Sequence, residues 1–131
     1  MSFSGKVTIV TGGALGIGGG IARKFSEKGS KIVIADIDKD AAIKNSNKII
    51  AMGGECEFVK TDVSKSSDIK NMIDFTLDKF GRIDNLIQNA FSTANNSSFG
   101  GSALEVDEKN WDQGIAMLQK AIYLGAKYAG N

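Results

Sequence analysis

The chain has 131 residues, 42% hydrophobic and 24% charged, enough for one domain over 1–131 with a modest core. Its 16 Lys+Arg against 15 Asp+Glu are scattered rather than blocked, which excludes the basic surface that nucleic acid or an anionic membrane needs. One cysteine and no histidine exclude an internal disulfide, the usual zinc sites and any nucleophile activated by histidine, so no metal is expected.

In chain order, MSFSGKVTIV holds one lysine and too short an apolar stretch for a signal peptide, and no later run is long enough to span a membrane. A cytoplasmic location is expected, with the sequons at Asn95 and Asn96 idle. Lys6–Thr11 (KVTIVT) is short and β-branched, which predicts a buried strand. A glycine run follows, then GIARKFSEKG, where Ile21, Ala22 and Phe25 mark a helix face and Gly29 a stop. KIVIAD (31–36) predicts the second strand and residues 38–52 the second helix, ended by Gly53 and Gly54. ECEFVK (55–60) predicts the third strand, and Cys56, between two glutamates, is expected to be a packing residue. Ile69, Met72, Ile73, Leu77 and Phe80 predict a helix over 65–80 closed by Gly81, and IDNLIQN (83–89) a fourth strand. Residues 91–103 are a polar loop. A last helix is expected from about Glu105 to Ala129. Trp111, Ile115, Leu118 and Ile122 line one of its faces and Met117, Ala121, Leu124 and Tyr128 another, so cover on more than one side is expected. Strands alternating with helices predict an α/β fold: a parallel sheet with helices on both faces.

The glycine run, TGGALGIGGG (11–20), follows a predicted strand and opens a predicted helix, which argues against a linker. A helix N-terminus offers unpaired amides and partial positive charge to a phosphate, and glycines there let a pyrophosphate approach. The plainer alternative is a tight strand-to-helix turn. The spacing is Thr-Gly-x-x-x-Gly-x-Gly, from Thr11 through Gly12, Gly16 and Gly18, and differs from both G-x-G-x-x-G and the P-loop. The second strand ends at Asp36, where a carboxylate accepts from an adenosine ribose and repels a 2′-phosphate. Leu15 brings no positive charge to such a phosphate, so NAD is expected over NADP. A turn or helix-cap aspartate is the alternative for Asp36. Asp62 and Val63 stand where an adenine edge sits in such a fold.

These residues, with TDVS (61–64), FGRIDNLIQNA (80–90) and NWD (110–112), resemble the short-chain dehydrogenase/reductase family over essentially the whole chain. The resemblance implies a Rossmann-like doubly wound sheet and nicotinamide-dependent hydride transfer between an alcohol and a carbonyl. It implies cofactor contacts from Gly12, Leu15, Gly16, Ile17, Gly18, Asp36, Ile37, Asp62, Val63, Asn89 and Ala90. The sequence also departs from the family. Its Asn-Asn-Ala-Gly is here Gln88-Asn89-Ala90-Phe91, and Leu118 stands where a catalytic Asn usually falls, seven residues after the Trp. Gly19 and Gly20 are poor helix formers, at about 1 kcal/mol each relative to alanine.

Members of the family usually run to about twice this length, with a Ser and a Tyr-x-x-x-Lys pair on later elements. Tyr123 and Lys127 match that spacing, but 12 residues after Trp111 they fall one helix too early, so they are expected to be a decoy and the catalytic residues stay unassigned. Four strands in the implied order 3-2-1-4 make an apparently truncated sheet whose fourth strand is an edge. Pairing with a second copy or with a missing C-terminal half is therefore expected. Two functions stay open: an NAD-dependent oxidoreductase acting on a small molecule, and a catalytically incomplete NAD-binding module or fragment.

Overall fold

Every residue of strand β1, Val7–Thr11, is buried, as befits a β-branched run covered on both faces. The structure is a computed structural model that describes residues 2–91 and 104–130. Apart from Phe91, the expected polar loop, with Asn95 and Asn96, lies outside the described residues. After β1 come α1 (Gly16–Glu27), β2 (Lys31–Asp36), α2 (Lys39–Ala51), β3 (Cys56–Lys60), α3 (Ser66–Phe80) and β4 (Asn85–Gln88). The described chain closes with α4 (Glu108–Ile115), a π-helical turn (Ala116–Lys120) and α5 (Ala121–Ala129).

The four strands are parallel in the order β3-β2-β1-β4. Ile9 lies beside Val33 on β2 and Leu86 on β4. Alternate residues feed opposite faces. Ile9, Val33, Ala35 and Val59 pack with Ile69, Met72, Ile73, Ala121 and Leu124 under α3 and α5. Val10, Ile32 and Ile34 pack with Ala22, Ala42 and Ile49 under α1 and α2. This is the doubly wound arrangement, and it brings the C-terminal ends of all four strands to one rim. Cys56 joins the second core, and burial pushes its thiol up to about 11. It is an inert packing residue.

Two elements differ from expectation. β4 is shorter than 83–89, because at its end the Thr11 side chain replaces the ladder: the Asn89 amide donates to Thr11 Oγ1 at 3.0 Å. The last helix starts three residues later than expected, where Asp107 caps it by accepting from the Asn110 amide at 2.7 Å. It is also broken by the π turn. Among the described residues, cover is found on one side only: Ala121 and Leu124 are buried, while Trp111 is 61% and Tyr123 60% exposed. Among the described residues, no helix is long and apolar enough to cross a membrane.

At the opposite rim, Asp84 ties β4 to β1. Its carboxylate accepts from the Val7 amide at 2.9 Å, from Lys6 Nζ at 3.1 Å and from Arg82 through Nε at 2.8 Å and Nη2 at 2.6 Å. The Arg82 guanidinium, with the Val7 amide, holds this carboxyl well below the usual carboxylate range. A depressed folded-state pKa contributes stability that is complete above the unfolded carboxylate value of about 3.9 and fades as pH falls below it. Asp84→Asn is therefore expected to melt lower than wild type at pH 7, with the gap closing toward pH ~2.5. Thermal melts across that range check this, and a gap that widens on acidification contradicts it.

Gly20 offers a stabilising change. A Cβ there would meet nothing nearer than Arg23 Nη2 at 4.0 Å. Gly20→Ala is expected to gain about 0.5–1 kcal/mol in urea unfolding, through helix propensity alone.

Candidate cofactor site

The loop after β1 turns at Gly12, where φ is +66° and an added Cβ would come 2.9 Å from Ala90 Cα. Helix α1 then starts against that loop. A Cβ on Gly18 would lie 2.2 Å from the Gly12 carbonyl oxygen and 2.5 Å from Asn89 Nδ2. Only glycine fits. Leu15 is the N-cap of α1, no side chain caps it, and the first turn holds no acidic residue. The helix thus presents uncompensated amides and the positive end of its dipole to an open cleft. This cradle fits a pyrophosphate group.

The loop after β4 is laced to this turn. Thr11 Oγ1 accepts from the amides of Asn89 at 3.0 Å and Ala90 at 3.1 Å. In return, Asn89 Nδ2 donates to the carbonyls of Thr11 at 3.2 Å and Gly12 at 3.4 Å.

Asp36 ends β2 at the cleft. Its Oδ2 accepts from the Ala14 amide and its Oδ1 from the Asp38 amide, each at 3.0 Å. Asp38 in turn caps α2, accepting from the Ala41 amide at 3.0 Å. Asp36 therefore makes a turn contact as well as facing the cleft, and each carboxylate oxygen keeps lone-pair capacity for a ligand hydroxyl. After β3, Asp62 accepts from the Ser64 amide at 3.0 Å, Ser64 Oγ at 2.6 Å and Lys65 Nζ at 3.5 Å. Burial pushes the Asp62 carboxyl up, but the Ser64 donors and Lys65 outweigh it and hold the carboxyl below its ordinary value.

The cleft holds about 600 Å³. Gly12, Leu15, Gly16, Ile17, Gly18, Asp36, Ile37, Asp62, Val63, Asn89 and Ala90 all line it. Its rim carries the large exposed apolar side chains Leu15, Ile17, Ile37 and Phe91, which suits a flat apolar ring. The sequence did not point to Ala14, Asp38, Gln113 or Met117, which line it too. Gln113 and Met117 come from α4 and the π turn, and only the tertiary fold brings them here. Phe91 lines both the cleft and an adjoining apolar cavity of about 90 Å³, and Leu118 lines that smaller cavity. Tyr123 and Lys127 line neither cavity; the Lys127 Nζ sits 5.8 Å from the centre of the Tyr123 ring.

The family model for short chain dehydrogenase matches residues 6–129. An uncharacterized oxidoreductase of Thermotoga maritima is 36% identical over 127 residues, 97% of this chain and 48% of that protein. A metagenomic short-chain oxidoreductase solved in complex with NADP superposes with a TM-score of 0.88 at 35% identity, covering 97% of this chain and 56% of that one. A short chain dehydrogenase/reductase from Burkholderia phymatum, solved in complex with NAD, gives a TM-score of 0.88 at 30% identity, over 98% of this chain and 44% of that one. The chain spans about half the length of the relatives it matches.

Proposed function

The chain belongs to the short-chain dehydrogenase family, and on that premise we propose that its cleft is the NAD site of an oxidoreductase that interconverts an alcohol and a carbonyl. Relatives hold NADP in one structure and NAD in another. The observation that favours NAD is the charge of the cleft. Asp36, Asp38 and Asp62 line it, and among the described residues no Lys or Arg does. Lys65 pairs with Asp62, but a 2′-phosphate beside Asp36 would meet negative charge with no cation lining the cleft among the described residues.

In this assignment the first turn of α1 holds the pyrophosphate and Asp36 accepts from the adenosine ribose. Ile37, Asp62 and Val63 border the adenine, and Asn89 and Ala90 border the second ribose. When bound, NAD supplies the hydride acceptor and NADH the donor. The protein's own part is to bind and orient the dinucleotide and to shield it from water.

A binding module without chemistry is the second possibility, and one observation favours it: Tyr123 and Lys127 line neither cavity. The same proposal includes self-association or pairing with a further segment through the exposed Trp111, Leu118, Ile122 and Tyr123. A clean monomer by light scattering at micromolar concentration contradicts it.

The test is titration of the purified chain with NADH and with NADPH, followed by cofactor fluorescence. Saturable binding that favours NADH by tenfold or more is expected, on the order of one charge contact. Asp36→Asn should narrow that preference. Tighter NADPH binding overturns the assignment.

A further inference from the structure

One buried contact from behind the cleft and one from a cleft carboxylate converge on a single peptide group of the glycine-rich loop. Asn45, on α2, is 3% exposed and lines neither cavity. Its Nδ2 donates to the Gly13 carbonyl at 2.8 Å and to the Gly19 carbonyl at 3.4 Å. Its Oδ1 accepts from Arg23 Nη1 at 2.6 Å. Arginine only donates, so the atom facing it must be the amide oxygen, and the donor end of Asn45 is thereby turned to the loop.

The Gly13 carbonyl and the Ala14 amide belong to the same peptide plane, and in a trans peptide they point in opposite directions. Asn45 holds the oxygen end. Asp36 Oδ2 holds the N–H end at 3.0 Å. That one plane is therefore clamped between a buried amide and the carboxylate in the cleft. Gly19 shows how closely Asn45 is fitted, since an added Cβ there would lie 3.3 Å from its Nδ2.

We infer that Asn45, oriented by Arg23, is a positioning residue for Asp36: through the Gly13–Ala14 peptide it fixes the carboxylate that chooses between the two nicotinamide dinucleotides. The inference rests on the assignment of Asp36 to the ribose. Without the Asn45 donor, the Gly13 carbonyl is left buried and unpaired, and the peptide turns to find another partner. The Ala14 amide then leaves Asp36 Oδ2, and the carboxylate keeps only the Asp38 amide to hold it. Ribose recognition weakens and the repulsion of a 2′-phosphate loses its aim.

The experiment uses Asn45→Leu, close in volume and uncharged. Arg23→Met is the milder second variant, keeping the aliphatic stem. Ser46→Ala serves as a control of comparable burial whose hydroxyl donates to the Cys56 carbonyl at 3.5 Å and meets the Cys56 thiol, on the far side from the glycine-rich loop. Two quantities are read: the ratio of NADH to NADPH affinity, and the Ala14 and Asp38 amide proton resonances without cofactor. In Asn45→Leu, NADH affinity should fall about tenfold, as loss of a charge-assisted contact implies, and the ratio should fall with it. In Arg23→Met both should fall about threefold. The Ala14 resonance should move upfield while that of Asp38 stays. In Ser46→Ala the ratio and both resonances should be those of wild type. General loosening would weaken both cofactors alike and leave the ratio unchanged. An unchanged ratio, or an unmoved Ala14 resonance, in folded Asn45 and Arg23 variants overturns the inference. If wild type binds neither cofactor, the functional assignment fails by itself, and the Ala14 resonance still decides whether Asn45 holds the peptide.

Discussion

Gly18→Ala is expected to lose dinucleotide binding and about 3 kcal/mol of stability. The added methyl would enter the space of the Gly12 carbonyl oxygen, 2.2 Å away, and of Asn89 Nδ2, 2.5 Å away. Neither can step aside cheaply. The first is backbone in the turn that ends β1. The second is held by the carbonyls of Thr11 and Gly12. Relief must come from pushing α1 out of the cleft, which removes its amides from the proposed phosphate position. Gly20→Ala, two residues on in the same helix, is expected to move stability the other way. Urea unfolding and NADH titration of the pair make the comparison. A Gly18→Ala protein as stable and as competent as wild type would mean that the turn is not as tight as described.

Thr11→Val should cost about 2–4 kcal/mol although it changes neither size nor branching. Thr11 is 4% exposed, and its hydroxyl accepts from two amides, those of Asn89 and Ala90. A valine methyl leaves both part-buried donors without that acceptor, and an unpaired donor costs on the order of 1–3 kcal/mol when buried and less where water reaches it. The loop after β4 then detaches from the loop after β1, and the cleft loses the wall that Asn89 and Ala90 form. NADH affinity should fall at least tenfold. Thr11→Ser restores the hydroxyl and should recover most of both losses. If serine is no better than valine, the hydroxyl is not what joins the two loops.

How far the sequence discloses the fold depends on where the information sits. KVTIVT and KIVIAD announce their strands because a strand buried on both faces is apolar at consecutive positions, whatever its neighbours are. The glycine run announces the turn for a similar reason: the constraint at Gly12 and Gly18 is local and leaves a mark in residue type. The end of β4 is not legible. Asn89 is a plausible strand residue until Thr11, far away in sequence, takes its amide. The π turn at 116–120 leaves no such mark, since AMLQK suits an ordinary helix. It nevertheless brings Met117 to the cleft, and it lies between α4, which brings Gln113 there, and α5, which brings Ala121 to the core. Asn45 is the clearest case of a silent residue. In sequence it is a polar position in the middle of α2, and its partners, Gly13, Gly19 and Arg23, are all 22 or more residues away.

The double use of Asp36 also limits how this site can change over generations. The same carboxylate that is proposed to take the ribose supplies the acceptors for the Ala14 and Asp38 amides. On that proposal, a single replacement by a basic residue, the direct route to accepting a 2′-phosphate, would unfasten the loop assigned to the pyrophosphate. A lineage moving toward the phosphorylated cofactor therefore needs a compensating acceptor in place first. The order of its mutations is constrained, and the first step must be one that leaves cofactor choice untouched.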